Sequence, residues 1–195
     1  SHSSGVLLSG ARELTGRVED KNDVKSLAYS LDDGKTFSPL GFWKEPETEA
    51  YQFKLTIDTY RMEEGPQVLW LKSTDGQGSV GLSAFLYFVD NKGPTLEILA
   101  PLEDRVVNGK FYVVGRVQDE IGIASLSYRH RDTEAEIPLI PGNPYWFVEI
   151  DSTPFGSRTE VVTFTVTDVT GNSVRKDARV RTDQVRDKPR VAVAY

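Results

Sequence analysis

The sequence contains no cysteine and only two histidines among its 195 residues. Without cysteine there is no disulfide, no thiolate nucleophile and no thiolate metal site. His2 falls within the opening "SHSSG", which reads as a cloning remnant. His130, at a strand end between Arg129 and Arg131, is then the one candidate base for Ser/His/Asp chemistry, and no nucleophile motif accompanies it. The carboxylates that can be placed fall in turns or at outward strand positions, so no catalytic role is expected. No apolar run approaches the ~18 residues of a membrane helix, and no signal peptide is visible, so membrane insertion is not expected. Acidic residues outnumber basic ones, 29 to 23. The formal net charge is −6, and the basic residues between Arg175 and Arg190 are interleaved with Asp177, Asp183 and Asp187. That pattern suits a solvated strand edge better than a phosphate-binding surface, which excludes nucleic acid as the expected partner. A sustained helical period is missing throughout.

What is present is a repeat. "GRVEDKNDVKSLAYS" from Gly16 and "GRVQDEIGIASLSYR" from Gly115 align without a gap, with seven of fifteen positions identical. "FKLTID" ending at Asp58 matches "WFVEID" ending at Asp151, and "TDGQG" from Thr74 matches "TDVTG" from Thr167. Two modules of roughly 95 residues follow, a length that suits a small domain. Alternation places Phe53, Leu55 and Ile57 on one face of a strand, and Val162, Phe164 and Val166 on one face of another. Turn signals such as "DDGK", "EEGP", "DNKGP", "PGNP" and "VTGN" punctuate the runs. Short strands with such turns predict an all-β fold of two tandem immunoglobulin-like β-sandwich modules, spanning residues 6–90 and 94–183.

The succession G-x-V-x-D, Y-S-L-D-D-G, I-D, E-G-P-Q-V-L-W-L-K-S-T-D-G-Q-G and V-D-N-K-G-P resembles tandem bacterial immunoglobulin-like modules, close in style to fibronectin type III. The resemblance covers nearly the whole chain. It implies an extracytoplasmic setting (cell surface, periplasm or secreted) and a non-catalytic interaction or spacer role in a larger protein. The partner would be another protein or neighbouring modules of the same chain. The alternative is an accessory or carbohydrate-binding region of a multidomain carbohydrate-active enzyme, since fold alone does not choose between such roles.

One short stretch points elsewhere. "YSLDDGKTF", Tyr29 to Phe37, contains S-x-D-x-G-x-T-F, which resembles the Asp-box hairpin of sialidase-type propellers. A propeller would repeat it blade after blade. Here it occurs once, so it is read as a turn in which Asp32 and Asp33 bond nearby backbone and Gly34 takes positive φ.

The ends of the modules differ. Module two opens with an extra strand, "PTLEILAP", whereas module one opens at "VLLSGARELTGRV", so its first strand is expected to be missing or replaced. The tail "KPRVAVAY", residues 188–195, repeats the start of that extra strand and reads as the opening of a further module or a free end. "VLLSG" is expected to occupy the open edge of module one, the alternative being that the tail of another chain pairs there head-to-tail.

Repeat alignment also assigns faces. Leu69 and Leu71 match Val162 and Phe164 and belong inside with Phe85 and Tyr87. Val68, Trp70, Ala84, Leu86 and Phe88 then share the outer face, where module two has Asp177, Arg179 and Arg181. Such an apolar stripe is unusual unless something covers it. The longer loop holding Phe42 and Trp43 is one candidate cover, and a protein partner is the other. Trp43 joins the stripe residues as a candidate contact, while Trp146 matches Phe53 and belongs to the core. A glycan stacked on Trp70 is less favoured, because sugar sites also need polar groups beside the ring. No cofactor is expected, with one exception to test. Asp90 and Asn91 of the linker, with Asp119, Glu120 and Asp168, offer the clustered oxygens that calcium takes.

Overall fold

A computed structural model describes residues 4–46, 48 and 50–183, and the chain divides into two compact units, Ser1–Asn91 and Lys92–Tyr195. Unit one contains β1 (Val6–Leu8), β2 (Ala11–Glu19), β3 (Val24–Ser30), β4 (Ser38–Pro39), β5 (Phe42–Lys44), β6 (Ala50–Asp58), β7 (Gly65–Asp75) and β8 (Val80–Val89). These form two sheets, ordered β1-β8-β7-β3-β4 and β2-β6-β5. Unit two contains β9 (Thr95–Ala100), β10 (Arg105–Val107), β11 (Lys110–Gln118), β12 (Ile123–His130), β13 (Thr133–Glu136), β14 (Tyr145–Asp151), β15 (Thr159–Asp168) and β16 (Ser173–Thr182). Its sheets run β10-β16-β15-β12-β13 and β14-β11-β9. Each unit is an immunoglobulin-like β-sandwich, and the chain is a tandem pair of them.

The cores follow from period-2 alternation. Phe53, Leu55 and Ile57 of β6 face Leu69 and Leu71 of β7 and Tyr87 and Val89 of β8 in one buried cluster. Val113 and Val117 of β11, Trp146 of β14 and Val162, Phe164 and Val166 of β15 form the equivalent cluster in unit two. Each such side chain fully buried contributes about 1.5–3 kcal/mol, and that burial holds the two sheets of a sandwich together. Trp146 is buried in this core, its ring 4.9 Å from Phe164.

Two strands break the repeat. β9 pairs antiparallel with β11 in unit two, but among the described residues β2 of unit one pairs only with β6. "VLLSG" does not fill that edge. Val6–Leu8 run parallel to Tyr87–Val89 of β8, as Arg105–Val107 run beside β16 in unit two. The short β1 therefore matches β10, and no described strand of unit one matches β9. The second difference is β5, which uses part of the longer loop to extend the β2-β6 sheet. Residues 188–195 lie outside the described residues.

Matching Asp residues organise matching turns. Asp75 Oδ1 accepts from the N–H groups of Gln77 (2.9 Å) and Ser79 (2.7 Å), and Asp168 Oδ1 from those of Thr170 and Asn172 (both 2.9 Å). These Asx turns join the last two strands of each module.

Candidate functional site

The register of β7 with β8 sets the stripe. Val68 lies opposite Leu86, Trp70 opposite Ala84 and Pro66 opposite Phe88, so their side chains share one face of the sheet. Leu7 of β1 pairs with Phe88 and extends that face. The intervening pair, Leu69 and Phe85, faces the core, as alternation requires. In unit two the corresponding outer pairs are Val161–Arg179, Thr163–Asp177 and Thr159–Arg181. There Thr163 Oγ1 donates to Asp177 at 2.8 Å, a solvated polar contact where unit one has an indole beside a methyl group.

The stripe is covered at its Trp70 end. Ser30 of β3 pairs with Trp70, and the Asp-box turn that follows lies against the indole: a Cβ on Gly34 would sit 4.0 Å from Trp70 Cδ2. Trp70 is half-buried as a result, with its indole nitrogen enclosed. Leu86 is 39% exposed, Ala84 is exposed and Phe88 is half-buried. The loop expected to cover the stripe lies elsewhere. Phe42 pairs with Phe53 and packs into the core, and Trp43 pairs with Gln52 on the β2-β6-β5 sheet. Trp43 is therefore exposed on the opposite sheet and is not brought together with Trp70, Leu86 and Phe88. The turn that does the covering is a hairpin held by its own side chains. Ser30 Oγ donates to Asp32 Oδ1 at 2.7 Å, and Thr36 donates to the same carboxylate through its N–H (2.9 Å) and hydroxyl (2.6 Å). The Ser30 hydroxyl, then those of Thr36, hold the Asp32 carboxyl far below the usual carboxylate range.

His130, the only histidine among the described residues, is buried, with Nε2 2.9 Å from Glu160 Oε2. Arg131 and Arg158 pair with the same carboxylate, and the Phe155 ring centroid lies 4.4 Å from that of His130. This satisfied internal cluster presents no base to solvent. A cleft of about 630 Å³ between β12 and the 136–144 loop has Asp119 and Glu136 as its acidic lining. Asp119 Oδ1 already accepts from the N–H groups of Ile121 (2.9 Å) and Gly122 (2.8 Å).

The remaining candidate calcium ligands are also engaged within their own units. Asn91 Oδ1 accepts from Gly10 N–H (3.0 Å) and Thr59 Oγ1 (2.8 Å), and its Nδ2 donates to the Thr59 carbonyl. Asp90 is buried and its N–H donates to the Leu8 carbonyl. Asp168 is buried beneath the bonds from Thr170 and Asn172, and Glu120 is exposed. Among the described residues, no three His, Asp or Glu side chains gather as metal ligands.

Sequence reasoning missed an apolar cleft of about 130 Å³ at the side of unit one. Gly16, Arg17, Phe53 and Phe85 are among its lining, and Phe85 is 37% exposed although it faces inward. The signal was available, since the strand missing from unit one should leave its core open at that side.

No protein-family model matches the chain, and no curated protein matches it significantly. Among solved structures, fibronectin(III)-like modules of Clostridium thermocellum CbhA are 16% identical, over 100% of this chain and 97% of that one, with a TM-score of 0.46. A 1.5-MDa bacterial ice-binding adhesin is 17% identical, over 93% of this chain and 61% of that one, with a TM-score of 0.48. The immunoglobulin pair of DIP-gamma is 12% identical, over 92% and 94%, with a TM-score of 0.42. The fold assignment rests on the strand order and register described above.

Proposed function

We propose that this chain is a non-catalytic interaction and spacer unit of a larger surface or secreted bacterial protein, and that it meets another protein through the outer face of β7 and β8. The observation that carries this reading is the contrast between the two units at equivalent outward positions. Unit one presents Val68, Trp70, Ala84, Leu86 and Phe88, where unit two presents Thr159, Val161 and Thr163 beside Asp177, Arg179 and Arg181, a single apolar side chain among polar ones. An apolar face on one repeat of a pair costs solubility unless a partner uses it. Carbohydrate stacking is less well supported, because the Asp-box turn lies against the Trp70 ring and Trp43 stands on the other sheet.

Substitution separates contact from core. Leu86→Asp should leave the melting temperature of the two-module chain within a degree or two and abolish association through this face, since exposed positions tolerate change. Trp70→Ala should cost about 2 kcal/mol, less than a fully buried tryptophan would. A loss from Leu86→Asp as large as that from Trp70→Ala would make the stripe an internal contact and reject the interface.

A further inference from the structure

Among the described residues, β2 of unit one pairs on one edge only. In unit two, β9 closes the gap between the sheets: Leu96 pairs with Val117, Glu97 with Arg116 and Ile98 with Gly115. Leu96 is buried at 5% exposure and Ile98 packs against the core. Unit one keeps the receiving positions in the repeat, Val18, Arg17 and Gly16, but supplies no strand to them among the described residues. The 130 Å³ cleft opens at Gly16, Arg17 and Phe85, beside the free edge of β2. A free edge over an open apolar core combines unpaired backbone groups with pockets for alternate side chains, which is what strand addition requires.

We propose that residues 189–195 of a second copy of this chain occupy this edge. Pro189-Arg-Val-Ala-Val-Ala-Tyr195 aligns with Pro94-Thr-Leu-Glu-Ile-Leu-Ala100 and keeps apolar residues at the two inward positions, Val191 for Leu96 and Val193 for Ile98. By the β9–β11 register, Val191 pairs with Val18, Ala192 with Arg17 and Val193 with Gly16, and the two valines enter the cleft. The charges on β2 do not forbid this. Arg116 reaches Gln118 (2.6 Å) beside a paired β9, as Arg17 reaches Glu19 on the open edge. Because donor and acceptor are different surfaces, the association is head-to-tail and extends with concentration.

The test compares the full chain with its V191D/V193D variant by sedimentation over a concentration series. Hydrogen exchange at residues 15–19 is followed in parallel. The proposal requires mass to grow with concentration in the full chain only, with exchange on β2 slowed about tenfold in the assembled form. A synthetic peptide of residues 188–195 should produce the same protection in a chain ending at Asp183, and its double-Asp version should not. Equal masses for full chain and variant, or protection of β2 in a strictly monomeric full chain, would each overturn exchange between copies. Ala84→Asp, on the outer face of β7 and β8 and outside the cleft lining, should leave this assembly intact, so its outcome is separable from the stripe reading.

Discussion

Gly115 lies flat against the ring of Trp146: a Cβ added there would stand 2.2 Å from Cζ2 of the indole and 2.4 Å from the carbonyl oxygen of Glu97 on β9. Gly16 stands in the same relation to Phe53, also at 2.2 Å, but there the three nearest atoms all belong to the ring. Both glycines are sites where an aromatic ring crosses a strand at the centre of a sandwich. Phe53 borders the open cleft and can shift, whereas Trp146 is enclosed. Gly115→Ala should therefore destabilise unit two by roughly 2–3 kcal/mol, and Gly16→Ala should cost unit one less, in line with overpacked cores. Denaturant titration, with tryptophan fluorescence reporting each unit, measures the difference. Equal costs would mean that the cleft gives Phe53 no freedom.

Acid should weaken both modules through their turn aspartates. Burial alone would raise the pKa of Asp168, but hydrogen bonds from Thr170 and Asn172 outweigh it and hold the carboxyl below its ordinary 3.8. Asp75 follows the same logic, with Ser79, Asn22 and Gln77 as donors against burial. A lowered folded pKa means the unfolded chain takes up protons first. The stabilisation is thus complete above the unfolded value and is lost as pH falls from about 4 toward the lowered folded value. Asp168→Asn keeps an acceptor in the turn but removes the titration. The stability gap between wild type and variant should narrow between roughly pH 5 and 3. A gap independent of pH over that window would contradict the assignment.

A calcium titration tests the expected ligands. An ion held by Asp90, Asn91, Asp119, Glu120 and Asp168 would raise the melting temperature in millimolar calcium, because it binds only the folded chain, and Asp168→Asn would remove the rise. An unchanged melting temperature would assign these side chains to the turn and linker hydrogen bonds alone.

The sandwich was readable because alternation and repeat speak about the same residues. Leu69, Leu71 and Tyr87 are buried where matching to unit two placed them, and Val68–Leu86 and Trp70–Ala84 are cross-strand pairs. What covers Trp70 was not readable, since it depends on how the Ser30–Thr36 turn tilts onto the sheet, and that tilt leaves no period in the sequence. The three residues of β5 are likewise too short for alternation to show, which hid Trp43's place on the other sheet. Val6–Leu8 were misassigned to β2's edge because a three-residue apolar run fits either sheet equally well. Only the β10 pairing in unit two distinguishes them.

Photo-crosslinking tests the proposed surface most directly. A photoreactive residue is placed at Leu86 of the two-module chain, with the equivalent unit-two position, Arg179, as the control. The account predicts a discrete protein adduct from position 86, absent from position 179 and lost when Trp70 and Phe88 are replaced by serine. Equal adducts from both positions, or none from position 86, would contradict it.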